Sequence, residues 1–173
     1  LVELQDPIPA NWEAYYAGWD ATDLLPVADT NGSKAVCLHH PSGDVLKISN
    51  AGTAAFGTWQ SSNKHWRVVW MQTETNWGVT EGGSSGSPIF TKNHQIIGTL
   101  TGGGSFCTAQ SSPDYYGRMA KHWTGTANPN AANQKLKMWL DPGNTGWLTF
   151  NGAAPTTAAL PCAPLSTEEE ISF

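Results

Sequence analysis

The string Glu81-Gly82-Gly83-Ser84-Ser85-Gly86-Ser87-Pro88, running into the apolar pair Ile89 and Phe90, holds the residues best suited to chemistry in this chain. Glycine weakens a helix, serine competes for its backbone bonds and proline clashes with it, so the string is not a helix interior. Gly83 and Gly86 allow positive φ and leave no side chain over Ser85. A turn of this kind presents Ser85 Oγ outward and aims the N–H groups of Gly83 and Ser85 into one concavity. That suits a nucleophile beside an oxyanion hole. The same string also reads as a plain Gly/Ser hairpin loop with no chemistry.

Three other places carry reactive types. His39 and His40 are neighbours, with Asp44 close by, which invites a local triad with Ser85. In a strand, however, adjacent side chains point to opposite faces, so the two rings cannot easily share a metal. Triad partners are defined by spatial role, not by proximity in sequence. His39-His40-Pro41-Ser42-Gly43-Asp44 is therefore expected to shape a hairpin and satisfy its own hydrogen bonds, and loss of His40 is expected to harm folding more than chemistry. Asp114, after Pro113, reads by itself as a surface turn residue. Gly102-Gly103-Gly104 reads either as a flexible loop or as a strand stretch that another backbone can approach.

Gly83-Ser84-Ser85-Gly86-Ser87-Pro88 resembles the Gly-Asp-Ser-Gly-Gly-Pro serine motif of chymotrypsin-fold proteases. The longer run from Gly78 to Phe90 is similar to the bacterial lysyl endopeptidases within that superfamily, and so is Tyr16-Ala17-Gly18-Trp19-Asp20. The resemblance implies that Ser85 is the nucleophile, with the Gly83 and Ser85 N–H groups as the oxyanion hole. Asp114, in Asp114-Tyr115-Tyr116-Gly117-Arg118, is similar to the family's aspartate at the floor of the primary specificity pocket. There a carboxylate would select a Lys ammonium and lose heavily if left unpaired. By the same resemblance Gly102 and Gly103 form the pocket wall, and Thr80 and Glu81 line its entrance. Thr101 stands where the family often has histidine working with a tryptophan, for which Trp59 is the counterpart here. Ser84 replaces the aspartate that in digestive proteases pairs with a freed N-terminus, so activation by that ion pair is not expected. Leu1-Val2-Glu3-Leu4 resembles the end of the run that carries the family's triad aspartate. The resemblance therefore places the triad His and Asp before Leu1, in an N-terminal half that would be this chain's partner. Cys107 resembles a cysteine that bridges to that half.

Composition sets the frame. The 173 residues suit one domain with a real core, and 18 Gly with 11 Pro favour a turn-rich β architecture. A net charge of −5 and the absence of a basic run argue against nucleic acid. No apolar run approaches a membrane span. Three widely spaced cysteines, Cys37, Cys107 and Cys162, argue against a zinc site, and no metal or cofactor is expected. Their odd number leaves one free or paired elsewhere in a secreted protein, and a Cys37–Cys162 pair stays open. With no leader and no initial Met, the chain reads as a mature or excised piece of a secreted bacterial-type protein. Nine Trp fit a secreted carbohydrate-binding or adhesion module as well as a protease core, and a catalytically dead protease homologue is a third reading.

The elements that must position these residues are read as follows. Residues 1–8 are the last strand of a first barrel plus a linker, 9–151 the barrel and terminal helix, and 152–173 a tail. Strands are expected over 12–20, 34–40, 44–49, 64–71, 87–91, 94–101 and 115–120, the last in the chain. Residues 50–63 read as a loop, Gly102–Gly104 as a strand break, and 131–140, capped by Asn130, as a helix ended by Asp141-Pro142-Gly143. The family implies an all-β, antiparallel, six-stranded barrel of the chymotrypsin kind, the second of the trypsin-like fold, with a C-terminal helix.

Overall fold

A computed structural model describes residues 5–6, 8–75, 77–125 and 134–154. Its central strand is β4 (Ser62–Trp70), where Trp66, Val68 and Trp70 alternate inward and are at most 2% exposed. Period-two burial of this kind defines a half-buried strand. Around it lie β2 (Ala35–His39), β3 (Lys47–Trp59), β5 (Pro88–Phe90), β6 (Gln95–Gly103) and β7 (Asp114–Arg118). The antiparallel pairings run β2–β3–β4–β7–β6–β5 and close from β5 back to β2. The result is the expected closed six-stranded antiparallel barrel. Outside it, β1 (Gly18–Asp20) pairs parallel with β6, and β8 (Thr149–Phe150) pairs antiparallel with β1.

Large and small residues interlock in the barrel interior. Trp66, Trp70 and Tyr116 fill it, and Ala35, Ala51 and Ala54 pack in the same cluster. At Gly98 a Cβ would meet the Trp66 ring at 3.3 Å and the Gly117 carbonyl at 2.6 Å, so no larger residue fits. The Trp66 indole N–H donates to the Ile97 carbonyl at 2.9 Å, which removes the penalty of burying it. A second cluster of Trp19, Ala21, Met119 and Trp123 joins α1 (Met119–Thr124) to the outer face, with Leu136, Leu140 and Phe150 against it. The Arg118 guanidinium stacks over Phe56 at 4.7 Å and Trp66 at 5.5 Å and pairs with Asp23 at 2.8 Å.

Several elements depart from the sequence reading. The expected strand over 12–20 is only Gly18–Asp20, because Trp12 and Tyr15 are exposed and Ala10–Trp12 forms a 3-10 turn. The supposed loop at 50–63 is the long arm of β3 and the start of β4, held by pairings from Ala51 opposite Trp70 to Trp59 opposite Ser62. Gly102 and Gly103 do not break β6. They pair with Tyr115 and Asp114. β7 ends at Arg118, followed by α1 where a strand was expected, and β8 comes later still. Of the expected terminal helix only Lys137–Leu140 (α2) is α-helical among the described residues, ending at Asp141 as read, while Asn130 and 131–133 lie outside them. Residues 1–4, most of the expected tail, and Cys162 also lie outside them. Among the described residues no helix is long and apolar enough to cross a membrane.

Candidate active site

The serine string folds as two interlocked turns, with the Ser84 N–H donating to the Glu81 carbonyl and the Ser87 N–H to the Ser84 carbonyl, both at 3.0 Å. Its far end is pinned to β6 by reciprocal bonds between Gly86 N–H and Leu100 O and between Leu100 N–H and Ser87 O, each 2.9 Å. Gly83 and Gly86 adopt φ of +93° and +80°, which an L side chain would resist. The string alternates in burial. Ser84 is 1% exposed, and Ser85 is exposed. Among the described residues, neither the Gly83 N–H nor the Ser85 N–H has an acceptor, and Ser85 Oγ has no partner. A free hydroxyl thus stands beside two unclaimed donors, as a nucleophile and oxyanion hole require.

His39 and His40 do face opposite ways: His39 is 2% exposed and His40 lies outside. The expectation that the 39–44 stretch satisfies its own bonds holds only in part. His40 Nδ1 meets the Asp44 carbonyl at 3.1 Å, and Asp44 N–H donates to Pro41 O at 2.9 Å. The turn also reaches the serine string, through Ser42 N–H to Gly82 O at 2.7 Å and Ser42 O–H to Glu81 Oε2 at 2.7 Å. The buried ring, His39, bonds Ser84 and Ser49. His39 is thus the buried, doubly bonded ring of the pair, and His40 the exposed one. No described histidine contacts Ser85 Oγ.

Asp114 is not a surface turn residue. It is fully buried where β7 begins. Its Oδ2 accepts from Trp70 Nε1 at 2.6 Å, from Thr80 Oγ1 at 2.6 Å and from Ser105 Oγ, and its Oδ1 accepts from Ser105 N–H at 3.1 Å. The carboxylate is thus already supplied with donors, so the heavy loss expected for an unpaired charge is replaced by a milder one. Oδ1 takes this single donor, the Ser105 N–H, and Gly103 packs against it. Thr80, 4% exposed, is buried against this carboxylate. Glu81 is the residue nearer solvent, and bonds from Ser42 and then Cys107 hold its carboxyl below the usual range. Gly103 lies against Asp114 so closely that a Cβ would fall 2.5 Å from the Asp114 Cα. Gly102 sits under Trp59, whose ring also packs on Tyr115 at 5.1 Å. Thr101 and Gly103 are exposed on β6.

Trp70 and Ser105 complete the site and were not singled out from the sequence. Trp70 reads as strand core and Ser105 as loop, and nothing local marks either as a carboxylate donor. Cys37 is free and buried, its thiol pushed up chiefly by burial, and Cys162, the partner left open for it, lies outside the described residues. Cys107 is free and exposed, its S–H donating to Glu81 at 3.4 Å. Among the described residues no cluster of His, Cys, Asp or Glu could hold a metal ion.

With this geometry in view, residues 1–117 match the family model described as lysyl endopeptidase, C-terminal domain. The chain is also similar to the crystal structure of Rv3671c from M. tuberculosis H37Rv, a serine-to-alanine mutant in an inactive form. The TM-score is 0.33 and the identity 14%, over 55% of this chain and 47% of that one. A likeness that distant carries no argument here, and the chain spans less than half of that protein's length.

Proposed function

The chain belongs to the lysyl endopeptidase C-terminal domain family, and from that premise we propose that it is the half of a serine endopeptidase carrying the nucleophile and the lysine pocket. The observation that carries this is the exposed Ser85 hydroxyl beside the acceptor-free N–H groups of Gly83 and Ser85. Ser85 Oγ attacks the scissile carbonyl carbon while its proton passes to a histidine from the N-terminal half. The C=O electron pair moves onto oxygen, where the two N–H groups receive it. Collapse breaks the C–N bond, the amine leaves with the proton, and water then hydrolyses the acyl-serine by the same steps. An unassisted serine hydroxyl is a weak nucleophile, so the chain alone turns over little.

Asp114 gives the preference for Lys. Oδ1 takes one donor and Gly103 puts no side chain against it, which suits a slender ammonium-tipped side chain. Thr80 orients the carboxylate, and Glu81 adds negative charge near the serine string. The substrates are Lys-containing peptides and proteins met outside the cell. The test is a set of peptide amides with Lys, Arg or Gln before the scissile bond, given to the full-length protein. Lys must be cleaved fastest, by at least about tenfold, or roughly 1.4 kcal/mol of transition-state binding. Equal rates for Lys and Gln refute the pocket assignment.

A further inference from the structure

His39 lies at the end of β2 with both ring nitrogens engaged, Nδ1 2.8 Å from Ser84 Oγ and Nε2 3.0 Å from Ser49 Oγ. The groups beyond these serines fix its tautomer. Ser49 donates its own hydroxyl proton to the Val79 carbonyl at 3.0 Å, so toward His39 it can only accept. Nε2 therefore carries the proton. A neutral imidazole has one N–H, so Nδ1 is an acceptor and Ser84 is its donor. Ser84 Oγ also faces the Glu81 N–H, at a longer 3.4 Å. Every proton then has a direction. Glu81 N–H points to Ser84 Oγ, Ser84 O–H to Nδ1, Nε2–H to Ser49 Oγ, and Ser49 O–H to Val79 O.

This run joins β2, β3 and residues 79–81 to Ser84, the residue between Gly83 and Ser85. We infer that His39, as the neutral Nε2–H tautomer, is a positioning residue that locks Ser84 and so aims the Gly83 and Ser85 N–H groups at the same point. The inference rests on the peptidase reading, since only there do those two N–H groups have work to do. The lock holds no ion pair, and no described carboxylate touches the ring. Burial foremost lowers the His39 pKa, His40 adding to that and Asp114 and Glu81 opposing it. Asp44 and Lys47, paired with each other at 3.0 Å, border the cavity of about 440 Å³ beside the ring. A second proton on His39 would set an Nδ1–H against the Ser84 O–H and undo the run.

Two measurements on the full-length protein test it. Long-range ¹H–¹⁵N correlation spectra at pH 7.5 are expected to show His39 protonated at Nε2 and bare at Nδ1, and an Nδ1–H tautomer overturns the inference whether or not any variant folds. Ser84→Ala and, at the far end of the run, Ser49→Ala are then assayed on a lysyl peptide amide. Since loss of one oxyanion donor costs about 10²–10³ in kcat, a loosened lock is expected to lower kcat at least about tenfold in Ser84→Ala, with KM within about twofold. Ser49→Ala shifts kcat the same way by less. A purely structural role would lower the unfolding midpoint and leave kcat of the folded enzyme intact, which also overturns the inference. A wild type that shows no hydrolysis removes the peptidase reading itself, and is distinguishable from an active wild type matched by an equally active Ser84→Ala.

Discussion

Replacing Asp114 by Asn keeps the shape of the side chain and changes only what its two terminal atoms can do. Oδ2 takes three donors, from Trp70, Thr80 and Ser105 Oγ, so the amide oxygen must occupy that place. The amide nitrogen then faces the Ser105 N–H, donor against donor, where Oδ1 accepted at 3.1 Å. One unsatisfied buried N–H costs about 1–3 kcal/mol, and three hydrogen bonds that lose their charge assistance weaken by about 1 kcal/mol each. Part of that is returned, because a neutral amide is cheaper to bury than a carboxylate, leaving a net loss of about 2–4 kcal/mol. The assay is urea unfolding followed by tryptophan fluorescence, for which Trp70 at the site is a direct reporter. At a slope of about 1–3 kcal/mol per M, the midpoint is expected to fall by about 1–2 M. A midpoint within about 0.3 M of wild type would refute the claim that the fold depends on this carboxylate.

His40→Ala removes an exposed ring with one bond to the Asp44 carbonyl, and should change stability by no more than about 0.5 kcal/mol, whereas His39→Ala strands Ser84 and Ser49 and should cost about 2 kcal/mol or more; chemical denaturation of the pair decides. Gly83→Ala puts a Cβ at φ +93°, 3.1 Å from the His40 carbonyl, and a strain of about 1–3 kcal/mol should displace the N–H and lower kcat more than it raises KM. Because the folded-state pKa of His39 is depressed, its contribution to stability is fully present above the unfolded value of 6.5 and is lost as pH falls through the lower folded value. Unfolding midpoints from pH 7.5 to 5 should therefore decline more steeply for wild type than for His39→Gln, and parallel slopes would contradict this.

The barrel was legible where strands announce themselves with large residues. Trp66, Val68 and Trp70 alternate plainly, and β4 lies where that pattern puts it. Its neighbour β3 was not legible along its second half, because Ala51, Ala54 and Gly57 lie opposite Trp70, Val68 and His65. A strand whose inward residues must be small to admit tryptophans carries almost no amphipathic signal. Gly102 and Gly103 misled for the same reason. They read as a break, yet a Cβ at Gly102 would crowd the Trp59 ring at 3.2 Å and only glycine fits at 103 against Asp114. α1 follows β7 with Arg118 in the capping position and no side-chain cap bond, so nothing local announced it. In the site, Ser85 and Asp114 stood out because a motif carried them. Trp70, Ser105 and Ser49 did not, because their roles come from strands brought together only by the closed barrel. Ser84 reads from the sequence only by the carboxylate it lacks, and its bond to His39 appears only in the folded barrel.

The central claim is that Ser85, held out at the glycine turn, is the reacting atom. Full-length protein treated with a fluorophosphonate and digested for mass spectrometry tests it most directly. One adduct on the Ser85 peptide, absent from Ser85→Ala and with activity lost in step with labelling, is the predicted result. Full inactivation with Ser85 unmodified, or undiminished peptide cleavage by Ser85→Ala, would contradict it.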